Sequence, residues 1–223
     1  MKGVAVVIPA YNEAARVADV ALAAARHAEF VIVIDDGSTD TTWEAVKGLP
    51  RPIYPLRHRI NMGKGSALKT GCAAALRLGA EIIVMMDADG QHPPEYIPRL
   101  LKHMREKNLD FVFTERTDGD RMPFVRRAGN FAVNKAAFHL FGLRTNDLWC
   151  GFRAFRLSCL PAVAWRARDY SGEVQMALAV ARSGIPYGAY PIPTIYEVGA
   201  AKGVHILHGL KLLGQMAVWR ITL

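Results

Sequence analysis

The first half of the chain alternates short runs of β-branched residues with longer, Ala-rich stretches of helical periodicity. This alternation predicts βαβ units, in which parallel strands form a central sheet that is covered by helices on both faces. The predicted strands are residues 4–8, 30–34, 53–56, 81–86 and 110–114, and the predicted helices are 14–28, 40–47, 64–78 and 94–106.

The second half begins with a polar segment rich in arginine and aspartate. We expect a loop there that leads into a helix from Phe131 to Phe141, a strand-like stretch at 151–156, a helix at 172–183 and a proline-rich crossing. The last helix is predicted at 204–219 and is amphipathic. Its apolar stripe comprises Ile206, Leu207, Leu210, Leu213 and Ala217. We favour packing of this stripe on the core over a position on a membrane surface.

The bulk composition fits one α/β domain over 1–223, because 51% of the 223 residues are hydrophobic. No window approaches the roughly 20 apolar residues that a membrane-spanning helix needs. The apolar start at 4–9 is too short for a signal peptide. Three cysteines, an odd number, argue against a disulfide framework. We therefore expect a cytoplasmic protein with no transmembrane segment.

The formal net charge of +8 makes an anionic partner plausible, whether nucleic acid, anionic lipid or a phosphorylated substrate. Basic residues concentrate after 115, and arginine there can bind a phosphate through two parallel hydrogen bonds or remain a solvated face. We favour a substrate phosphate for Arg116 and Arg127. Nucleic acid is disfavoured as a partner, because this stretch has no recognition helix with interleaved aromatic residues.

Polar clusters follow four of the predicted strands. They are Pro9-Ala10-Tyr11-Asn12-Glu13, Asp35-Asp36-Gly37-Ser38, Asp87-Ala88-Asp89-Gly90-Gln91 and Thr114-Glu115-Arg116. In an open parallel sheet, ligands bind beyond the carboxyl ends of the strands. Four separate segments are therefore predicted to face one site.

Asp87 and Asp89 are one residue apart at a strand end, so both carboxylates can face the same side. Two carboxylates that close repel each other unless a cation lies near them, and their hard oxygen atoms suit Mg²⁺ or Mn²⁺. We predict a divalent ion that clamps a diphosphate. The alternative is a solvated pair that caps the next helix.

Two further features belong to the same edge. Of Asp35 and Asp36, we favour Asp36 for ligand contact, with the other carboxylate capping the helix that starts near Asp40. The stretch 61–66, Asn-Met-Gly-Lys-Gly-Ser, is not a Walker A loop, because His58 stands where that motif needs glycine. Its glycines are expected to allow close backbone approach at a nucleotide, with Lys64 either near the ligand or a solvated first-turn charge.

These motifs together resemble the family-2 glycosyltransferases with the GT-A fold, in particular the branch similar to dolichyl-phosphate mannose synthase. The matching stretches are 7–13, 34–40, 63–68, 86–94 and 147–153. The resemblance implies a mostly parallel central sheet flanked by helices. It divides the chain into a nucleotide-sugar-binding half at 1–115, an acceptor half at 116–203 and the amphipathic helix at 204–223.

The resemblance also implies an inverting, metal-dependent hexosyltransferase. Its donor would be a nucleoside-diphosphate sugar such as GDP-mannose or a UDP-sugar. Its acceptor would be dolichyl phosphate, undecaprenyl phosphate or another polyprenyl phosphate, which it would bind at the inner face of the membrane. The implied nucleotide-sugar contacts are Pro9, Ala10, Tyr11, Glu13, Asp36, Lys64, Asp87, Ala88, Asp89 and Lys202. The implied catalytic residues are Asp89, Arg116 and Arg127, and the implied metal ligands are Asp89 and Gln91 with Asp87. The motifs select no particular sugar, nucleotide or oligomeric state.

An ionised phosphate acceptor is already a nucleophile and needs no general base. The closest alternative is a family-2 enzyme acting on a sugar hydroxyl, which needs a base, with Glu173 or Asp147 as candidates. A more distant alternative is a nucleotidyltransferase, which is disfavoured because residues 9–13 do not form a Gly-rich basic loop. Another is a nucleic-acid-binding module, which would bind DNA or RNA with an affinity that depends on salt.

Overall fold

The computed structural model describes residues 1–117, 124–193 and 206–222, with side chains described outside 124–128, 206–211 and 221–222. Seven strands form one sheet in the order β3-β2-β1-β4-β6-β5-β7. The strands are β1 (Val4–Ala10), β2 (Phe30–Asp35), β3 (Ile53–Arg57), β4 (Ile82–Met85), β5 (Phe111–Arg116), β6 (Arg153–Arg156) and β7 (Tyr187–Ile192). Every pairing is parallel except those of β6, which runs antiparallel to β4 and β5.

In the described ranges, seven α-helices accompany the sheet. They are α1 (Val17–Ala25), α2 (Thr42–Val46), α3 (Lys64–Arg77), α4 (Ile97–Glu106), α5 (Phe124–Phe141), α6 (Ser171–Ser183) and α7 (Ile206–Thr222). A 3₁₀ turn at Pro94–Tyr96 leads into α4. The mostly parallel α/β architecture predicted from the alternation is confirmed.

The core has two layers because the central strands are buried on both faces. All seven residues of β1 are buried, and alternate side chains point to opposite sides of the sheet. Ala5 and Val7 share a cluster with α3, α5, α6 and α7. Val6 and Ile8 share the other cluster with α1, α2 and α4. Burial on both faces explains why these strands read as continuous apolar runs.

Several predicted boundaries were wrong. The helix expected at 14–28 is only α1. It starts after Arg16, whose φ of −131° is not helical, and it ends in a turn in which the amides of Arg26 and His27 bond to the carbonyls of Ala23 and Ala24. The helix expected from Phe131 starts at Phe124. The proline-rich crossing contains strand β7. Pro191 is tolerated there because, among the described residues, β7 lies at the edge of the sheet and pairs only with β5.

The C-terminal helix α7 packs on the core. Of the predicted stripe, Leu213 packs against the core cluster and Ala217 is exposed, while the side chains of Ile206, Leu207 and Leu210 lie outside the described residues. The buried side chains in the described part of α7 are Leu212, Met216 and Trp219. These three residues join the cluster that includes Val133 and Ala137 of α5. Among the described residues, no helix combines the length and apolarity needed to cross a bilayer.

Candidate active site

The four predicted polar segments lie at one edge of the sheet. Strands β1, β2 and β4 are parallel neighbours, and β5 has the same direction because β6 is antiparallel to both β4 and β5. The loops that follow these four strands therefore leave from the same edge, and β6 begins there. This arrangement brings the sequence-predicted segments together, as parallel topology requires.

The loops after β1 and β2 are bound to each other. Asn12 has a left-handed backbone, with φ of 56°, and its side-chain oxygen accepts hydrogen bonds from the Thr39 amide at 2.9 Å and the Asp40 amide at 3.4 Å. In return, the amide of Asn12 donates to Ser38 Oγ at 3.0 Å. Asparagine suits this position because its short polar side chain tolerates the left-handed region. Next to Asn12, the side chain of Tyr11 is exposed, whereas Pro9 and Ala10 are buried in β1.

Asp35 and Asp36 have different partners. Asp35 is fully buried, and its Oδ1 accepts from the Ser38 amide at 2.9 Å while Oδ2 lies 3.0 Å from Nε of Arg57. The expectation that the carboxylate other than Asp36 caps α2 was wrong. Asp40 has that role, because its Oδ1 accepts the Thr42 amide at 2.9 Å.

Asp36 holds the loop before α3. Its Oδ1 accepts the Met62 amide at 3.0 Å, its Oδ2 accepts the Gly63 amide at 2.8 Å, and Nδ1 of His58 lies 2.6 Å from Oδ1. These contacts bind the end of β2 to the start of α3. These contacts involve both carboxylate oxygens and give Asp36 a well-defined structural role. Its predicted contact with a nucleotide remains a prediction.

The ammonium of Lys64 lies between two carboxylates. Nζ is 2.6 Å from Oδ1 of Asp87 and 2.8 Å from Oε2 of Glu173. The Lys64 side chain is only 13% exposed, so the alternative of a solvated first-turn charge was wrong. An acidic group from the loop after β4 and one from α6 are therefore held close together by the Lys64 ammonium.

This ion cluster shifts the pKa values of its members. Burial opposes ionisation of Asp87, but the neighbouring Lys64 ammonium outweighs it and lowers the pKa of the carboxyl to about 2. Burial likewise opposes the charged form of Lys64, yet Asp87 and Glu173 together raise its pKa well above the ordinary value. Both groups are charged at neutral pH, and each charge stabilises the other.

The glycines around Lys64 allow a close approach between protein segments. Gly63 has φ of 90°, and a Cβ there would lie 2.5 Å from the carbonyl oxygen of Arg168. A Cβ on Gly65 would lie 2.5 Å from the carbonyl oxygen of Ala167. The close approach expected of these glycines toward a nucleotide is thus made to the backbone at 167–169.

Asp89 and Gln91 share a turn after β4, where the Gln91 amide donates to Oδ1 of Asp89 at 3.0 Å. This turn replaces the extended backbone on which Asp87 and Asp89 were expected to face the same side. Oδ1 of Asp87 contacts the Lys64 ammonium, which disfavours a second cation there. No group of three acidic, histidine or cysteine side chains with metal-ligand spacing occurs in the described part of the chain. Carboxylate and amide oxygens are ligands that Mg²⁺ and Mn²⁺ accept together with substrate oxygens, so the chemistry of Asp89 and Gln91 fits such an ion. Their role as metal ligands remains a prediction.

Arg116, at the end of β5, is bound to Asp147. Its Nε lies 2.6 Å from Oδ2 and its Nη2 lies 2.8 Å from Oδ1, a bidentate pair that also fixes the plane of the guanidinium. Arg116 also lowers the pKa of the Asp87 carboxyl, after the larger effect of Lys64.

A family model described as "Glycosyl transferase family 2" matches residues 5–162, more than half of the chain. The chain belongs to glycosyl transferase family 2. The match includes the strand-end loops described above.

Three curated relatives illustrate the sequence similarity within family 2. The chain is 29% identical to UDP-N-acetylglucosamine--dolichyl-phosphate N-acetylglucosaminyltransferase of Methanococcus voltae, over 96% of this chain and 95% of that protein. It is 32% identical to undecaprenyl-phosphate mannosyltransferase of Micrococcus luteus, over 88% of this chain and 85% of the relative. It is 28% identical to polyprenol monophosphomannose synthase of Mycolicibacterium smegmatis, over 88% and 79% of the two chains.

The fold matches a solved GT-A structure. Glucosyl-3-phosphoglycerate synthase from Mycobacterium tuberculosis, in complex with Mn²⁺, UDP and glucosyl-3-phosphoglycerate, superposes with a TM-score of 0.69 at 19% identity. The superposition covers 99% of this chain and 80% of the synthase. The predicted GT-A fold is confirmed.

Two predicted residues of the family-2 site lie outside the description. Lys202 falls between 194 and 205, and the side chain of Arg127 belongs to the undescribed start of α5. Their predicted roles remain predictions.

The structure adds site residues to which the sequence reasoning assigned no role. Arg153 is fully buried and donates to three backbone carbonyls, those of Leu148, Cys150 and Glu173. His92 lies under the site, where its Nδ1 accepts the Asp87 amide at 3.1 Å. In the sequence, only their positions within the family motifs could have identified them: His92 lies in 86–94 and Arg153 in 147–153.

Proposed function

We propose that this family-2 enzyme transfers a hexose from a nucleoside-diphosphate sugar to a polyprenyl phosphate. One oxygen of the acceptor phosphate attacks the anomeric carbon and forms the new bond, while the bond between that carbon and the diphosphate breaks on the opposite face. The nucleoside diphosphate leaves with the electron pair, and the configuration at the anomeric carbon inverts. No proton has to be removed from an ionised phosphate.

The observation that carries this proposal concerns the two carboxylates that were candidates for a general base. Asp147 is bound in the bidentate pair with Arg116, and Glu173 is bound to Lys64. A hydroxyl acceptor needs a base that can take up its proton, and both candidates are already paired with a cation. A phosphate acceptor needs none, so the arrangement favours the phosphate over the sugar-hydroxyl alternative.

The names of the relatives support the same acceptor. The proteins from Methanococcus voltae, Micrococcus luteus and Mycolicibacterium smegmatis are named for transfer to dolichyl phosphate, undecaprenyl phosphate and polyprenol phosphate. Their donors differ, so we propose only that the donor is a UDP-sugar or GDP-mannose. Because such acceptors are membrane lipids, we place the protein peripherally at the inner face of the membrane.

We further propose that a divalent ion, Mg²⁺ or Mn²⁺, is held by Asp89 and Gln91. When bound, such an ion offsets the negative charge of the departing diphosphate. The solved synthase complexes, which contain Mn²⁺ or Mg²⁺ with UDP, support this assignment. Around that position, Arg116 would orient the acceptor phosphate together with Arg127, and Lys64 keeps Asp87 ionised and fixed in orientation.

The test is transfer of a labelled sugar. The protein is incubated with a panel of labelled UDP-sugars and GDP-mannose, with undecaprenyl or dolichyl phosphate, and with Mg²⁺, Mn²⁺ or EDTA. We expect label from one donor to enter the organic phase and EDTA to abolish the transfer. Label that reaches only aqueous products would overturn the lipid acceptor, and transfer that persists in EDTA would overturn the metal assignment.

A further inference from the structure

The two ring nitrogens of His92 have different partners. The residue is buried beneath the loop after β4. Its Nδ1 lies 3.1 Å from the backbone amide of Asp87, and its Nε2 lies 3.8 Å from Sγ of Cys150. A backbone amide can only donate, so Nδ1 accepts and carries no proton. These contacts assign the ring proton to Nε2.

The Cys150 thiol and the Thr114 hydroxyl continue this chain of hydrogen bonds. Oγ1 of Thr114 donates to the carbonyl of Phe152 at 2.6 Å, which uses the only proton of the hydroxyl. Sγ of Cys150 lies 3.0 Å from the same oxygen, so the thiol is the donor in that contact. The sulfur is then the acceptor for the Nε2 proton of His92. Every group between the Asp87 amide and the Phe152 carbonyl therefore has a defined direction of donation.

The orientation of the His92 ring is fixed by packing as well as by hydrogen bonds. The ring stacks on Phe152, with centroids 5.4 Å apart and an angle of 21° between the planes. A half-turn of the imidazole would place carbon atoms at both contacts, and the buried Asp87 amide would lose its acceptor. Leaving a buried donor without a partner is unfavourable. Nδ1 is therefore held against the Asp87 amide.

The bond between His92 and the Asp87 amide closes the loop that carries the two predicted metal ligands. Asp87 and His92 are the ends of this loop, and Asp89 and Gln91 lie between them. Within it, the Gln91 amide donates to Oδ1 of Asp89 at 3.0 Å. Gly90, with φ of 78°, makes the turn between the two. Ligands that are already held in one conformation lose less conformational freedom when an ion binds.

We infer that His92 is a positioning residue for the divalent ion. Its Nδ1 holds the loop from Asp87 in the conformation in which Asp89 and Gln91 offer their oxygens to one ion. In this role His92 contacts neither the ion nor the substrate and acts through the Asp87 backbone. The inference rests on the proposed function, because it assumes that Asp89 and Gln91 hold the ion.

Two substitutions separate the two nitrogens of His92. His92→Asn keeps an oxygen acceptor near the position of Nδ1 and removes the donor at Nε2. His92→Gln reaches the position of Nε2 but has no polar atom at that of Nδ1. Binding of Mn²⁺ is measured from the electron paramagnetic resonance signal of the free ion, in saturating UDP and in saturating GDP.

The Mn²⁺ affinities of the two variants are expected to differ. His92→Gln should bind Mn²⁺ about tenfold more weakly than wild type, because residues that orient metal ligands have effects of this size. His92→Asn should stay within about threefold of wild type, because it keeps the acceptor for the Asp87 amide. His139→Gln, at an exposed position of α5, is the matched control and should leave the affinity unchanged.

Thermal unfolding of the same variants separates positioning from a purely structural role. His92→Asn loses the stack on Phe152 and the contact with Cys150, so its Tm should fall at least as far as that of His92→Gln. The variant that keeps its Mn²⁺ affinity is thus expected to be no more stable than the other. Mn²⁺ affinities that fall in step with Tm would overturn the inference.

A measurement on the wild type decides the matter if a variant does not fold. ¹⁵N NMR of protein labelled in histidine reports which ring nitrogen carries the proton, and for His92 at neutral pH we expect Nε2. A proton on Nδ1 of His92 would overturn the inference, as would equal Mn²⁺ affinities of the two folded variants. Failure of wild type to bind Mn²⁺ with either nucleotide would instead overturn the metal assignment of the proposed function.

Discussion

Arg116 and Asp147 form a bidentate ion pair at the end of β5, with Nε 2.6 Å from Oδ2 and Nη2 2.8 Å from Oδ1. The Arg116 amide also donates to Oδ2 at 3.3 Å. Asp147 is buried, so the pair is a fixed part of the site rather than a surface contact. It leaves the guanidinium in a defined orientation, which a phosphate-binding group needs.

Replacing Arg116 by lysine tests this orientation. Lysine keeps the charge but cannot form the planar fork, so we expect transfer to polyprenyl phosphate to fall about tenfold or more. The dissociation constant of the nucleotide sugar, measured by calorimetry, should stay the same. Arg156→Lys is the control, because Arg156 pairs with Asp110 at the surface. An equal loss of donor binding in Arg116→Lys would contradict the acceptor role.

Replacing Lys64 by methionine removes the cation from a buried cluster. Asp87 and Glu173 would then be close together without compensation, and we expect the free energy of unfolding to fall by about 3 kcal/mol or more. Urea unfolding at pH 7 measures this. Lys102→Met, in the exposed pair with Glu106, should change it by less than about 1 kcal/mol. Similar small effects of both substitutions would contradict a stabilising role for the Lys64 cluster.

The low pKa of Asp87 predicts how stability depends on pH. The folded-state pKa of about 2 lies below the ordinary value of 3.8, so ionisation stabilises the fold fully above about pH 4. The contribution is lost as the pH falls from about 4 to about 2. We expect the stability difference between wild type and Asp87→Asn to be constant from pH 7 to pH 5 and to shrink below pH 4. A difference that stays constant down to pH 2 would exclude this cause.

Gly63 is expected to tolerate no side chain. Its φ of 90° disfavours any other residue, and a Cβ would lie 2.5 Å from the carbonyl oxygen of Arg168. Gly63→Ala should therefore lower the free energy of unfolding by about 1–3 kcal/mol. Gly48→Ala is the matched control, since no atom lies within 4 Å of its added Cβ. Thermal unfolding of both variants measures the difference in stability between them. Equal unfolding midpoints would contradict the prediction and show that the backbone at 167–169 can shift to admit the added Cβ.

Asp36 supports the same loop through hydrogen bonds to two amides. Asp36→Asn replaces one acceptor oxygen by a donor, which removes either the acceptor of the Met62 amide or one of the two acceptors of the Gly63 amide, the other being Oδ1 of Asn61 at 2.9 Å. We expect a loss of about 1–3 kcal/mol. The measurement is urea unfolding, with Asp110→Asn, a half-exposed surface pair, as the control. If Asp36→Asn keeps wild-type stability but loses nucleotide binding, Asp36 acts mainly on the ligand.

The local pattern identified most of the fold. β-Branched runs gave the central strands, and the Ala-rich stretches gave the helices between them, because burial on both faces makes a parallel strand continuously apolar. The errors fell where tertiary context decides. Strand β7 contains Pro191 and was missed, since only its position at the sheet edge makes proline acceptable there. On α7, burial of Met216 rather than Ala217 depends on which side faces α5.

The sequence by itself determined that acidic and basic groups follow β1, β2, β4 and β5, because parallel strands place their carboxyl ends at one edge. It also carried the family resemblance. Only the tertiary structure decided which groups pair, since Lys64, Asp87 and Glu173 come from three separate elements that meet through packing. Ion pairing and pKa depend on distances of a few ångströms and on burial, and neither quantity is written in the spacing of residues along a chain.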